Sequence, residues 1–397
     1  MKALRKLLDN IKPHVEKGGK FHYLHSGFDA VETLFFVPNT VSKKGAHIRD
    51  AIDLKRTMFI VVIALIPALL FGMWNVGQQH FLSIGETETF MGTFFFGLLK
   101  MLPLIIVSYG VGLGLEILFA QSRGHEVNEG FFVSGMLIPL IVPIDTPLWM
   151  VALAVAFAVI IGKEVFGGTG MNIWNPALLA RAFLFFAYPS NMSGDKVWVE
   201  GMSHLDKVAD GFSGATPLAV MAAETGDKVS TFANGIGNWS VIDLVIGTYP
   251  GSIGETSIIA IGIGAIILLF TGIASWKIIF STIAGGLTMG FLFNAVAPES
   301  NVFMQMPAYY HLLIGGFAFG TVFMATDPVS AAQTSKGKYI YGFLIGVIAV
   351  IIRVVNPAYP EGMMLSILLL NTFAPLIDFY VVQGNIKKRL KRVKVTA

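Results

Sequence analysis

Asp210-Gly211-Phe212-Ser213-Gly214-Ala215-Thr216-Pro217 is a polar island that divides an otherwise apolar chain into two halves. Trp174 to Tyr188 before it is mostly apolar, and the chain turns apolar again near Val241. Between them lies the longest stretch too polar to cross a bilayer. Gly211, Gly214 and Ala215 let a bulky group approach the backbone, and Pro217 fixes φ at the exit. Asp210 is placed to orient or deprotonate a nearby hydroxyl, and Ser213 and Thr216 supply the hydroxyls. By residue type alone the octapeptide is a turn.

Composition sets the solvent. Of 397 residues, 54% are hydrophobic and 13% charged, where a soluble domain carries about 25% charge; mean hydropathy is +0.68. The expectation is an all-α integral membrane protein. Without cysteine, the chain has no disulfide, thiolate-bound zinc or cysteine-held iron–sulfur cluster of its own. Met1 to Lys20 lacks the continuous apolar core of a signal peptide. The eight histidines form no ligand set; His125 lies in an acidic loop, His125-Glu126-Val127-Asn128-Glu129, and no metal site is expected. Neither is a nucleic-acid partner.

Roughly 20 apolar residues cross a bilayer as a helix. About ten crossings are expected, at 58–77, 93–120, 130–144, 147–166, 173–189, 256–273, 276–297, 308–325, 338–355 and 361–382. This gives a cytoplasmic N-terminal segment 1–56, a five-helix unit 57–189 and an outer loop 190–255. A second five-helix unit, 256–382, and a basic tail, 383–397, follow. Leu4, Leu7, Leu8, Ile11 and Val15 recur at helical spacing among lysines and arginines, which suits a helix lying on an anionic membrane surface. Lys55, Arg56, Arg123, Lys163, Lys277, Lys336, Lys338 and the tail lysines fall on one side, so both termini are expected in the cytoplasm and Thr216 outside.

The halves repeat. Asn175-Pro176-Ala177 recurs as Asn356-Pro357-Ala358 at an offset of 181 residues (356 − 175), and the same offset carries Gly135 onto Gly316 and Pro147 onto Pro328. An odd number of crossings per unit inverts one half relative to the other. Inverted repeats with short, broken helices, here 130–144 and 173–189, are a transporter architecture with sites near the midplane.

Ionisable residues within apolar crossings are functional candidates. Glu116, Asp327 and Asp378 all fall toward the inner face and together suggest a path for a hard cation; each read singly is equally a helix-end residue reaching water. Lys163-Glu164 and Arg181 are expected to form structural ion pairs or to meet a bound ligand. Gly167-Gly168-Thr169-Gly170 leads into Asn172 and Asn175, two amides at helical spacing. They either hydrogen-bond a polar ring edge or tie down backbone at the helix break, with Asp327 nearby across the repeat interface. The glycine run lacks the GKS/GKT ending of a nucleotide loop.

Asp50 to Arg56, Gly124 to Phe132, Lys163 to Phe186, Asp210 to Pro217, Met324 to Ser330 and Val354 to Asp378 together resemble the B subunits of sodium-pumping NADH:quinone oxidoreductases. The resemblance implies FMN esterified through its phosphate to Thr216 by a separate flavin transferase, with Ser213 ranked below it. It implies riboflavin near Asn172, Asn175 and Asp327, and a ubiquinone site shaped by the N-terminal region with Gly112 and Gly114. This chain has Gly112-Leu113 where the family often has adjacent glycines. The expected role is that of a membrane component of a multi-subunit redox-driven sodium pump in the bacterial inner membrane. Electrons from NADH, bound elsewhere in the complex, would reach ubiquinone through FMN and riboflavin as Na⁺ passes Glu116, Asp327 and Asp378. The D subunits of Rnf complexes, which are ferredoxin:NAD oxidoreductases, share the flavinylated loop and the Asn-Pro-Ala elements. The segment 1–56 and the His125-to-Gly130 stretch favour the first family. A non-redox channel or transporter of the same fold is the remaining alternative.

Overall fold

The computed structural model describes residues 2–15, 19, 21, 25, 27–28, 32–33, 36, 42–48, 54–123, 130–202, 208–209, 212–223, 235–298, 301–356 and 361–394. Among these the chain is all-helical apart from one isolated bridge between Ile236 and Trp239.

A basic helix α1 (Lys2–Val15) precedes the membrane part. Two long helices follow, α2 (Leu54–Ile84) and α3 (Phe90–Arg123). Their 31 and 34 residues span about 46 and 51 Å at 1.5 Å per residue. Both exceed the roughly 30 Å hydrocarbon layer. Pro67 and Pro103 sit inside them, where neighbouring helices can satisfy the freed carbonyls. The first half ends with three short helices, α4 (Phe131–Ile141), α5 (Leu148–Ile160) and α6 (Pro176–Ala187). In the middle stretch lie α7 (Pro217–Ala223) and α8 (Val241–Ile246). The second half holds α9 (Ile258–Phe270), α10 (Trp276–Val296), α11 (Tyr310–Leu313), α12 (Phe317–Phe319), α13 (Ser335–Val355) and α14 (Met363–Lys394).

Among the described residues, six helical stretches are long and apolar enough to cross a membrane, and α4, α6 and α9 are shorter apolar helices. The chain is a multi-pass membrane protein. Its outward faces carry Phe59, Ile66, Phe95, Ile106 and Phe280, each more than a third exposed, as a lipid-facing surface requires.

The crossing expected at 308–325 is not one helix. It breaks into α11, α12 and a π-helical turn, Gly320–Met324. The cause is Gly315-Gly316: Gly316 holds φ +67°, a left-handed conformation that ends regular helix, and Arg353 takes the carbonyls of Ile314 and Gly315. The tenth crossing, expected to stop at 382, continues as helix to Lys394.

Helices pack within each half and across the two. In the first half α3 contacts α4 and α5, and α5 contacts α6; in the second α10 contacts α13, which contacts α14. Across the halves α2 meets α9 and α6 meets α14. The closest pair, α10 and α13, is joined through glycines. A Cβ on Gly346 would lie 2.1 Å from the Thr282 carbonyl oxygen, and one on Gly285 2.1 Å from that of Phe343. Small residues allow such backbone approach, which drives helix association in lipid. Asn356 closes α13 as its C-cap; Pro357 and Ala358 lie outside the described residues.

The middle stretch is a packed cap rather than a bare loop. Leu218 of α7, Leu244 of α8 and Tyr249 form a second apolar cluster with Phe293, Tyr310 and Val350.

Candidate functional site

The break before α6 builds the first site. Gly167, Gly168 and Gly170 all have positive φ, which turns the chain sharply into Asn172 and Asn175. The Asn175 side chain caps α6, its Oδ1 accepting from Ala177 N at 3.0 Å and Leu178 N at 3.4 Å, with Pro176 at the first helical position. Asn172 Nδ2 donates to the Trp174 carbonyl at 3.0 Å. Both amides therefore secure backbone, and both also line a cavity of about 760 Å³. Asp327 lines the same cavity from the other half of the chain, through the turn after Met324. Its carboxylate accepts from the Ser330 hydroxyl at 2.5 Å and from the amides of Val329 and Ser330 at 3.4 Å. Fold topology, not sequence proximity, brings Asp327 to the two amides.

Thr216 lines a second cavity of about 320 Å³, with Trp198, Tyr249, Glu255 and Glu361. Its Oγ1 accepts from Ala219 N at 3.2 Å, and Pro217 opens α7 behind it. Gly214 is pressed against the 195–202 segment, where a Cβ would lie 2.1 Å from the Asp195 carbonyl oxygen. Ser213 is exposed, and its hydroxyl accepts from Ala215 N at 3.3 Å. Asp210 lies outside the described residues.

Glu116, Asp327 and Asp378 each have different partners. Glu116 is buried against Lys163, another wall residue of the large cavity. Asp378 accepts from Gln333 N at 2.6 Å, Thr334 N at 2.9 Å and the Thr334 hydroxyl, and so braces the start of α13. Asp327 alone of the three lines a cavity described here. Lys163 and Glu164 do not pair with each other, since Glu164 is held by Arg123 at 2.7 Å.

Gly112 and Gly114 do not share a surface, because positions two apart point to opposite sides of a helix. A Cβ on Gly112 would lie 1.9 Å from the Phe131 ring, so this glycine packs α3 against α4. Gly114 and Gly110, one turn apart, open onto space free of other described atoms within 4 Å.

Glu255 and Glu361 were not foreseen from the sequence. Each stands at the edge of an apolar run and reads as an interfacial residue; their proximity to Arg181 exists only in three dimensions.

The NQR2, RnfD, RnfE family matches residues 41–387. The chain is 48% identical over 411 residues to the B subunit of the Na(+)-translocating NADH-quinone reductase of Chromohalobacter salexigens, covering 98% of this chain and 97% of that protein. It is 49% identical to the same component of the Ectopseudomonas mendocina enzyme, covering 98% and 99%. With that of Klebsiella pneumoniae identity is 46%, covering 98% and 100%.

Proposed function

The chain belongs to the NQR2, RnfD, RnfE family, as a component of a Na⁺-translocating NADH-quinone reductase, and from that premise we propose that it carries the flavins at the two cavities above. The observation that carries the reading is the convergence of Asn172 and Asn175 with Asp327 on one wall system from opposite halves. In that cavity the amides and the carboxylate supply hydrogen-bonding groups for the polar edge of riboflavin, while Val61, Leu137, Leu268 and Phe323 supply apolar surface for its ring. In the second cavity Thr216 offers its hydroxyl oxygen for a phosphoester to FMN, beside Trp198 and Tyr249. Bound flavins supply one- and two-electron carriage between NADH-derived electrons and a quinone. The protein's own contribution is to fix their positions, exclude water and arrange the charges that a transported ion meets.

The fold is read as two inverted five-helix repeats, supported by helix packing within each half and by the α2–α9 and α6–α14 contacts across the halves. The basic tail favours both termini in the cytoplasm and Thr216 outside, in a bacterial inner membrane. Ubiquinone is assigned to the Gly110–Gly114 face of α3, next to which Gly27 of the N-terminal segment approaches Ile117. The partners are the other components of the complex and, during maturation, a flavin transferase. Against the Rnf reading stands segment 1–40: it lies outside the family match but within full-length matches to B subunits.

The test is fluorescence of the denatured chain in a gel under ultraviolet light, after expression in a host with the flavin transferase. The wild-type band fluoresces and Thr216→Ala is dark, while Ser213→Ala stays bright. A dark wild-type band defeats the assignment.

A further inference from the structure

The following rests on the sodium-pump reading and concerns its outer end. The cavity beside Thr216 is lined by two acids from distant parts of the chain, Glu255 before α9 and Glu361 before α14. Their side chains are 11% and 20% exposed, and Arg181 of α6 reaches both. Nη1 lies 2.9 Å from Glu255 Oε1, and Nη2 meets Glu361 Oε2. The neighbouring Arg353 directs its guanidinium at backbone carbonyls of His311, Ile314, Gly315 and Glu361. The cluster of four charges is thus balanced, with Arg181 the guanidinium that bridges the two carboxylates.

Two hydroxyls line the same cavity. Ser252 Oγ is 3.5 Å from Arg181 Nη2. Thr256 is 1% exposed, and its Oγ1 has no hydrogen-bond partner among the described residues. Gly316 brings backbone close to the acid, since a Cβ there would lie 2.6 Å from Glu255 Oε1. Carboxylates and hydroxyls are the oxygen donors that hard cations take. From Glu255 and Glu361 a smaller cavity of about 250 Å³ continues to Leu178, Gly320 and Met324. Phe323, next to Met324, already lines the large inner cavity. The Gly320–Met324 turn and the start of α6 contribute to both linings, Met324 and Leu178 to the smaller cavity and Phe323 and Pro176 to the larger.

We propose that Glu255 and Glu361 form the outer cation site of the sodium path and that the Arg181 guanidinium occupies it as a tethered surrogate cation. Na⁺ arriving from within displaces Arg181 from the carboxylates, and the returning guanidinium expels Na⁺ outward. The carboxylates then never stand buried without a counter-charge, which is the costly state. Arg181 suits this role because guanidinium cannot deprotonate.

The test uses the whole complex in sealed vesicles oriented with the outer side facing the lumen. NADH oxidation is measured as luminal NaCl replaces KCl at constant ionic strength, with external Na⁺ titrated separately. Wild type is slowed by luminal Na⁺. Glu255→Gln and Glu361→Gln raise the half-inhibiting luminal concentration by about tenfold or more, the scale of one lost charged contact; Arg181→Met lowers it. The external half-activating concentration does not move in step. A purely structural role would lower assembly or maximal rate and leave the luminal half-inhibition unchanged, and that result overturns the proposal. Glu255→Asp, which keeps the charge, serves if the amide variant does not assemble, and an unshifted luminal dependence there is equally fatal. In-gel flavin fluorescence and wild-type Na⁺ uptake report separately on the pump reading: if they fail in wild type, that reading falls first.

Discussion

Lys163 and Glu116 form an ion pair inside the bundle, each side chain only 4% exposed, on the rim of the cavity that also holds Asn172, Asn175 and Asp327. The pair joins the turn after α5 to the C-terminal half of α3. Taking both charges out of water is expensive, and mutual attraction is what makes it tolerable.

Removing one partner strands the other. Glu116→Gln and Lys163→Met are each expected to destabilise the protein by about 3–5 kcal/mol, whereas the double variant loses much less than their sum. Thermal release of the flavins from the purified complex, run as a double-mutant cycle, reads the difference. Additive losses would show that the two side chains act independently.

Asn175 caps α6, and its proposed contact with riboflavin can be separated from that cap by substitution. Asn175→Asp keeps an oxygen to cap α6, whereas Asn175→Ala gives up the cap at about 1 kcal/mol. Both are expected to lower the ratio of extractable riboflavin to covalent FMN, because both remove the amide N–H donors. If Asn175→Asp retains full riboflavin, the residue is a cap and nothing more.

Gly112 and Gly114 should behave differently despite standing two residues apart. Gly112→Ala drives a methyl into the Phe131 ring and is expected to cost about 1–3 kcal/mol by overpacking. Gly114→Ala meets no described atom within 4 Å and should leave assembly intact while changing the apparent KM for ubiquinone. Steady-state quinone titrations and detergent-extract yields give both readouts.

Glu200 ties the outer segment to the bundle. Its carboxylate lies 2.6 Å from Lys100 Nζ, and the amide of the next residue, Gly201, donates to Asp145 Oδ1 at 2.9 Å. Burial pushes the Glu200 carboxyl above its ordinary 4.5, helped by the Asp145 charge and opposed by the hydrogen bond from Lys100. The folded protein therefore holds this proton more tightly than the unfolded chain. Its contribution is fully present below 4.5 and is lost as pH rises through the raised folded value. Protease cleavage of the outer segment should accelerate as pH rises above 4.5 in wild type, relative to Glu200→Gln at each pH. Parallel profiles would show that this carboxyl has no such effect.

Membrane residence, the place of most apolar segments and the helix break at Asn175-Pro176 were legible in the sequence. Each follows from residues close together in the chain, where apolar run length, proline, glycine and capping side chains act directly on local backbone. The segment 308–325 is broken rather than one continuous helix because Gly315-Gly316 and the distant Arg353 interrupt the hydrophobic run. Tertiary structure alone decided which charges meet. It paired Glu116 with Lys163, set Asp378 to bracing α13, and gathered Arg181, Glu255 and Glu361 beside Thr216. Buried charges must find counter-charges wherever the packed helices deliver them, and that pairing depends on three-dimensional proximity, which a linear pattern does not carry.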